Sequence, residues 1–232
     1  MKDIFKVEEK GGMRWYIKDN VYHPSVSTVN NWERTLSMPR YKRKAGNAAN
    51  IGTAIHFQIE KALFDDFGIG DESKFDMPDI SIWNISTKYG LDRVNKSMRM
   101  FYRFLRDHPD FEPLQNEFVL FTKDGLPYAG RIDLIARLES EIYLLDFKTG
   151  AYYPEYDAQI CGGYAGLLTD NGLHYDKTGL LFLDSREDRN PSLTYQFKPY
   201  SDLERQQGNI VFWAKLEKYY DNGVYQRILN GE

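Results

Sequence analysis

Two stretches, Gly130-Arg131-Ile132-Asp133-Leu134-Ile135-Ala136-Arg137 and Ile142-Tyr143-Leu144-Leu145-Asp146-Phe147-Lys148-Thr149-Gly150, decide how this chain is read. Both carry runs of apolar residues, and the short gap between them predicts a hairpin closed at Glu139-Ser140. A symmetric closure places Asp133 directly opposite Asp146, with β-carbons about 4.5–5.5 Å apart. Lys148, two residues beyond Asp146, then points to the same face. Ile132, Leu134 and Ala136 are expected to form one apolar face with Tyr143, Leu145 and Phe147, while Ile135, Ile142 and Leu144 make much of the other face apolar. Two carboxylates side by side in so apolar a strand pair repel each other and lose hydration, so a cation must compensate. A divalent metal ion does this best, because it binds hard oxygen ligands and cancels both charges at once. A lysine beside such a metal can orient its water or stabilise charge building on a phosphate oxygen. The plainer reading is a surface hairpin in which Asp146 pairs with Lys148 or Arg131.

Working outward, the strand before the hairpin (116–122) carries Glu117, a candidate third carboxylate or simply a solvated residue. The helix after it (156–168) carries Gln159 and Tyr164, which sit five residues apart and so do not share one helical face. Tyr152, Tyr153 and Tyr156 follow Lys148 and suit either base stacking or packing. Residues 48–67 are predicted as a helix by the spacing of Ile51, Ile55 and Ile59. Gly52, His56 and Glu60 share one face of it, and a glycine there suggests close approach of another element or a ligand. His56 alone reads as a packed or surface histidine. Between Arg34 and Lys44 lies the densest basic run, Arg34, Arg40, Lys42, Arg43 and Lys44, which is either a solvated loop or a segment that tracks phosphates.

The remaining pattern is a small hairpin (5–17) turning at Gly11-Gly12, a helix starting near Ser25 to Thr28, a loop over 75–82, a helix over 86–106, strands over 178–183 and 193–197, and a last helix over 203–220. With no repeat or linker, the chain is expected to be one domain over residues 1–232 with an N-terminal hairpin and helix extension. Strands flanked by helices predict an α/β fold with a mixed central sheet covered on both faces.

Composition narrows the function. The chain has 232 residues, 42% hydrophobic and 28% charged, which excludes disorder, collagen and coiled coil. A single cysteine, Cys161, excludes a disulfide framework, a four-thiolate zinc site and a cysteine-ligated iron–sulfur cluster, and points to a reducing compartment. No membrane span or apolar signal core is visible, so the cytoplasm is the expected location and no membrane partner is expected. A net charge of −4 argues against coating nucleic acid through overall positive charge, although a local basic groove remains compatible with it.

Assembled in order, Gly52-Thr53-Ala54-Ile55-His56, Glu117, Gly130-Arg131-Ile132-Asp133, Asp146-Phe147-Lys148-Thr149-Gly150, then Gln159 and Tyr164 resemble the PD-(D/E)XK nuclease superfamily, in particular its RecB-like exonuclease branch. The match spans roughly residues 25 to 168, and Ser25-Val26-Ser27-Thr28 looks like the start of phage-encoded members. The resemblance implies a restriction-endonuclease-like core and a Mg²⁺- or Mn²⁺-dependent DNA nuclease, most simply an exonuclease in recombination, replication or processing. It implies Asp133, Asp146, the Phe147 carbonyl and His56 as metal ligands, Lys148 as the catalytic lysine and Glu117 as an accessory acid. Gln159 and Tyr164 would shape the substrate side of the cleft, with Arg131, Arg43 and Lys44 as further substrate contacts. Two departures stand out: the Gln-to-Tyr spacing is five where the family usually has four, and the lone cysteine excludes the cluster-bearing relatives. The implied partners are DNA with ends and, since no helicase motif is present, a separate helicase or recombination protein. A phage-encoded member would act in the host cytoplasm. A structure- or sequence-specific endonuclease, and a non-catalytic nucleic-acid-binding module, are the alternatives on the same scaffold.

Overall fold

The hairpin closes where the sequence places it. In a computed structural model describing residues 5–37, 47–70 and 88–231, the strands β5 (Ala129–Leu138) and β6 (Glu141–Lys148) pair through Leu134–Leu145, Ile135–Leu144 and Leu138–Glu141. Glu139 and Ser140 both adopt left-handed backbone (φ 51° and 68°). That conformation matches the twist of the flanking strands in a two-residue turn.

Around this hairpin the chain builds a mixed five-stranded sheet in the order β4-β5-β6-β7-β8, adding β4 (Glu112–Phe121), β7 (Lys177–Phe182) and β8 (Gln196–Pro199). Only β6 and β7 run parallel, so the link between them has to cross a face of the sheet. It does so through α4 (Glu155–Ala158), a π-helical stretch (Gln159–Tyr164) and α5 (Ala165–Asp170). One face of the sheet buries Leu134, Ala136, Tyr143, Leu145 and Phe147 against α2 (Asn47–Phe67) and α3 (Lys88–Asp107). The opposite face buries Ile135, Leu144 and Leu180 against α1 (Val26–Ser37), the crossover and α6 (Asp202–Asp221). The fold is therefore α/β with a mixed sheet flanked by helices on both faces, consistent with a restriction-endonuclease-like core.

The N-terminal strands β1 (Lys6–Lys10), β2 (Met13–Lys18) and β3 (Val21–Pro24) form a second sheet, one strand more than the predicted hairpin. Ser25 caps α1 by accepting the Thr28 N–H at 3.0 Å. Trp15, Trp32 and Tyr219 cluster with Val224 and Ile228 of α7 (Val224–Asn230), a helix absent from the sequence reading. Seven residues are too few for a clear periodic signal. The last strand lies at Gln196–Pro199, later than expected, because Leu193 adopts left-handed backbone (φ 45°) and interrupts it. Arg40, Lys42, Arg43, Lys44 and the 75–82 loop lie outside the described residues, whereas Arg34 falls on α1.

One expectation about the hairpin is overturned. Leu134 packs toward α2 and α3, but Ile132, two residues earlier, packs with the opposite cluster. The neighbouring strand inverts in step: Asn116, paired with Leu134, lies near Gly70 beyond the end of α2, whereas Phe118, paired with Ile132, packs with the opposite cluster. The residue at the inversion on β4 is Glu117, whose left-handed backbone (φ 45°) is rare within a strand and costs about 1 kcal/mol. Such strain at a partly buried acid marks a position held by its surroundings.

Candidate active site

The same inversion opens a cleft. Pairing between β5 and β6 stops at Leu134–Leu145, while β5 continues alongside β4 to Ala129 and β6 alongside β7 to Lys148. Where the two strands part, the Asp133 carboxylate takes the Phe147 N–H at 2.8 Å. Asp133 and Asp146 thus stand at the fork, 8% and 3% exposed.

Helix α2 closes one side. A β-carbon at Gly52 would lie 3.2 Å from Thr149 Oγ1, so glycine lets the helix come close to the end of β6. One turn on, His56 Nδ1 lies 3.6 Å from both Glu117 Oε1 and Asp133 Oδ1. One ligand atom from each of His56, Glu117 and Asp133 falls within 4.8 Å of the others, a spacing suited to one ion. Asp146 is not part of this trio; its Oδ2 lies 2.6 Å from Lys148 Nζ. Asp146 Oδ2 is thus buried against the ammonium. Imidazole, two carboxylates and the nearby Asp146 carboxylate form a donor set that Mg²⁺ or Mn²⁺ accepts.

Charge is distributed unequally among these groups. Burial raises Asp146 to about 6, with the neighbouring Asp133 charge adding to the rise and Lys148 opposing it. Asp133 is equally buried, but the His56 charge and hydrogen bond, Lys148 and the Phe147 N–H outweigh burial and lower it. Burial alone would lower His56, yet Asp133 and Glu117 hold it protonated well above its usual 6.5. Lys148 is likewise raised, since Asp146 and Asp133 overcome its burial. In the metal-free protein, imidazolium and ammonium therefore supply the compensation that the paired carboxylates demand. A charged Lys148 can donate hydrogen bonds or stabilise an oxyanion.

The crossover helix positions Lys148. Its Nζ lies 3.5 Å from Gln159 Oε1 and 4.5 Å over the ring of Tyr156. The Gln159 amide donates to the Tyr164 hydroxyl at 2.8 Å. Two residues five apart should not share a face of an α-helix, but the π-helical turn accommodates the extra residue and brings them together. Gly162 and Gly163 permit that turn: β-carbons there would lie 2.3 Å from Phe212 Cβ and 2.4 Å from Val26 Cγ1. Gly130 serves the other end, because a β-carbon there would meet the Tyr164 ring at 2.8 Å. Arg131 is half exposed at the cleft mouth, its Nη1 3.7 Å from Glu117 Oε2.

The cleft, about 610 Å³, unites Glu117, Asp133, Asp146, Lys148, Gln159 and Tyr164 with His56. Arg14, Arg93 and Arg186 also line it and were not singled out in the sequence. Only Arg93 carries a readable signal, being an arginine on the inward stripe Arg93-Ser97-Phe101-Phe104 of α3. Arg43 and Lys44, expected as substrate contacts, lie outside the described residues.

No family model matches the chain, and no curated protein does. Among solved structures, that of SSO0001 is similar over 83% of each chain, with 12% sequence identity and a TM-score of 0.33. Among the described residues no helix is long and apolar enough to cross a membrane.

Proposed function

We propose that this chain is a metal-dependent phosphodiesterase on a restriction-endonuclease-like fold. More particularly, we read it as a Mg²⁺- or Mn²⁺-dependent DNA nuclease of the RecB-like branch of the PD-(D/E)XK superfamily, acting from DNA ends in the cytoplasm during recombination, replication or processing. The observation that carries this reading is one cleft in which two buried aspartates, a partly buried glutamate, a histidine and a lysine paired with Asp146 converge.

His56, Glu117 and Asp133 would hold the ion, with Asp146 beside them. A bound Mg²⁺ or Mn²⁺ supplies a water of lowered pKa and charge for the phosphate oxygens. His56 must release its proton to serve as a ligand, so ion binding is coupled to proton release. Lys148 keeps its proton and stabilises negative charge developing on the phosphate. Gln159, anchored on Tyr164, keeps the ammonium from swinging out of the cleft.

The deciding experiment incubates linear and covalently closed circular DNA, labelled at either end where ends exist, with Mg²⁺, Mn²⁺ or chelator. Divalent-dependent loss of linear DNA with circles left intact is expected, as is loss of activity in Asp146→Ala and Lys148→Ala with the fold retained. Cleavage of circles would replace the exonuclease by an endonuclease. Hydrolysis retained in either variant would remove the mechanism.

A further inference from the structure

Helix α3 turns a regular inward face to the sheet: Ser97 donates to the Leu183 carbonyl at 2.7 Å, and Phe101 and Phe104 are fully buried. One turn before Ser97, on the same stripe, stands Arg93, only 8% exposed. Among the described residues its hydrogen bonds go to neutral acceptors and are long, from Nε to Ser185 Oγ at 3.3 Å and from Nη2 to the Thr149 carbonyl at 3.4 Å. Asp184 is close enough to feel the Arg93 charge, but it gives both carboxylate oxygens to Arg186, at 2.7 Å and 2.5 Å. Two guanidinium groups therefore share one carboxylate. Both line the same cleft as Lys148, on the side of Thr149-Gly150.

A buried guanidinium with only a share of one carboxylate is costly, and a neutral side chain could satisfy the Thr149 carbonyl and the Ser185 hydroxyl equally well. Arginine offers something such a donor does not, a planar fork of N–H groups that matches phosphate oxygens two at a time. Two of its five N–H groups reach protein acceptors, which leaves donors for a ligand in the cleft.

We propose that Arg93, backed by Arg186, is a phosphate-binding subsite beside the reacting position, holding a second phosphate of the substrate strand. This rests on the nuclease reading for the identity of the strand, but the phosphate chemistry does not depend on it. Arg93 binds and positions; it takes no part in bond breaking. Fixing a neighbouring phosphate holds the scissile one against Lys148 and the acids, where small displacements are expensive in rate.

Two arms in chelator test this with Arg93→Met and Arg93→Lys. In the first, thermal unfolding is followed with and without inorganic phosphate. Phosphate should raise the melting temperature of the wild type, raise that of Arg93→Lys less, and leave that of Arg93→Met unchanged. Without phosphate, Arg93→Met should melt no lower than the wild type, because it removes a buried charge whose neighbouring carboxylate is already held by Arg186. A lower melting temperature for Arg93→Met would make the arginine structural, and a phosphate shift retained in that variant would make it irrelevant to anions; either result overturns the proposal. In the second arm, a labelled single-stranded oligonucleotide is titrated at several salt concentrations. Losing one phosphate contact should lower the slope of log K against log salt by about 0.7. An unchanged slope beside a lost phosphate shift would confine the subsite to free phosphate and overturn its assignment to the substrate strand. A protein that shows the phosphate shift but hydrolyses no DNA with Mg²⁺ or Mn²⁺ refutes the nuclease reading and leaves the subsite. A nuclease whose KM is unaltered by Arg93→Met refutes the subsite and leaves the nuclease.

Discussion

Replacing Asp146 by asparagine should make the metal-free protein more stable at neutral pH while abolishing its proposed activity. The carboxyl is raised from 3.8 to about 6, first because it is buried and then because Asp133 is charged nearby. An acid whose native value lies above its unfolded value holds its proton more tightly when folded. Native stability is therefore full below about pH 4 and declines as pH rises toward 6. A rise of about two units at about 1.4 kcal/mol each means that ionised Asp146 costs the native state up to about 3 kcal/mol at pH 7.5. That figure already includes the attraction of Lys148, which opposes the rise, so the neutral amide does not incur the lost ion pair as a separate penalty. Asparagine mimics the protonated acid in shape and charge. Denaturant unfolding of wild type and Asp146→Asn in chelator should show a gain approaching 3 kcal/mol at pH 7.5, or roughly 6–12 °C in melting temperature for a chain of this length. The gain should vanish by pH 4. Equal or lower stability of the variant at pH 7.5 would mean that the Lys148 contact outweighs burial, and the reasoning about stored electrostatic strain would be wrong.

Two further perturbations probe how the site is built. Glu117→Asn replaces a strained left-handed glutamate with a residue that tolerates that backbone. Stability in chelator should hold or rise by up to about 1 kcal/mol, while Mn²⁺ should cease to raise the melting temperature; a Mn²⁺ shift of wild-type size would remove Glu117 from the ligand set. Gly163→Ala places a methyl 2.4 Å from Val26 Cγ1 and 2.9 Å from Phe212 Cε2. Overpacking of that kind should cost about 1–3 kcal/mol, read as a lower urea midpoint; an unchanged midpoint would show that α1 and α6 yield easily around the π-helical turn.

Legibility followed the range of the interactions. The register of β5 and β6 could be read because a two-residue turn and the two-residue period of side chains are local properties, and the pairing of Leu134 with Leu145 agrees with that reading. The same local rule failed at Ile132, where alternation inverts beside Glu117 and Asp133. The spacing of Gln159 and Tyr164 misled for a similar reason. An α-helical period was assumed, whereas tight contacts of Gly162 with Phe212 and Gly163 with Val26 accompany a π-helical turn.

Local sequence was enough to read the helices and strands of a mixed α/β sheet, the hairpin register that carries Asp133 and Asp146 to the same end of the strand pair, and Lys148 two residues beyond Asp146. Each of these depends on neighbours along one strand or across one turn. Long-range packing is what brings His56 and Glu117 to Asp133, pairs Lys148 with Asp146, and buries Arg93 near an Asp184 carboxylate already held by Arg186. Those facts depend on how α2, α3 and the crossover helix pack against the sheet. Packing sums many weak contacts between segments far apart in the chain, and no spacing within one segment records it.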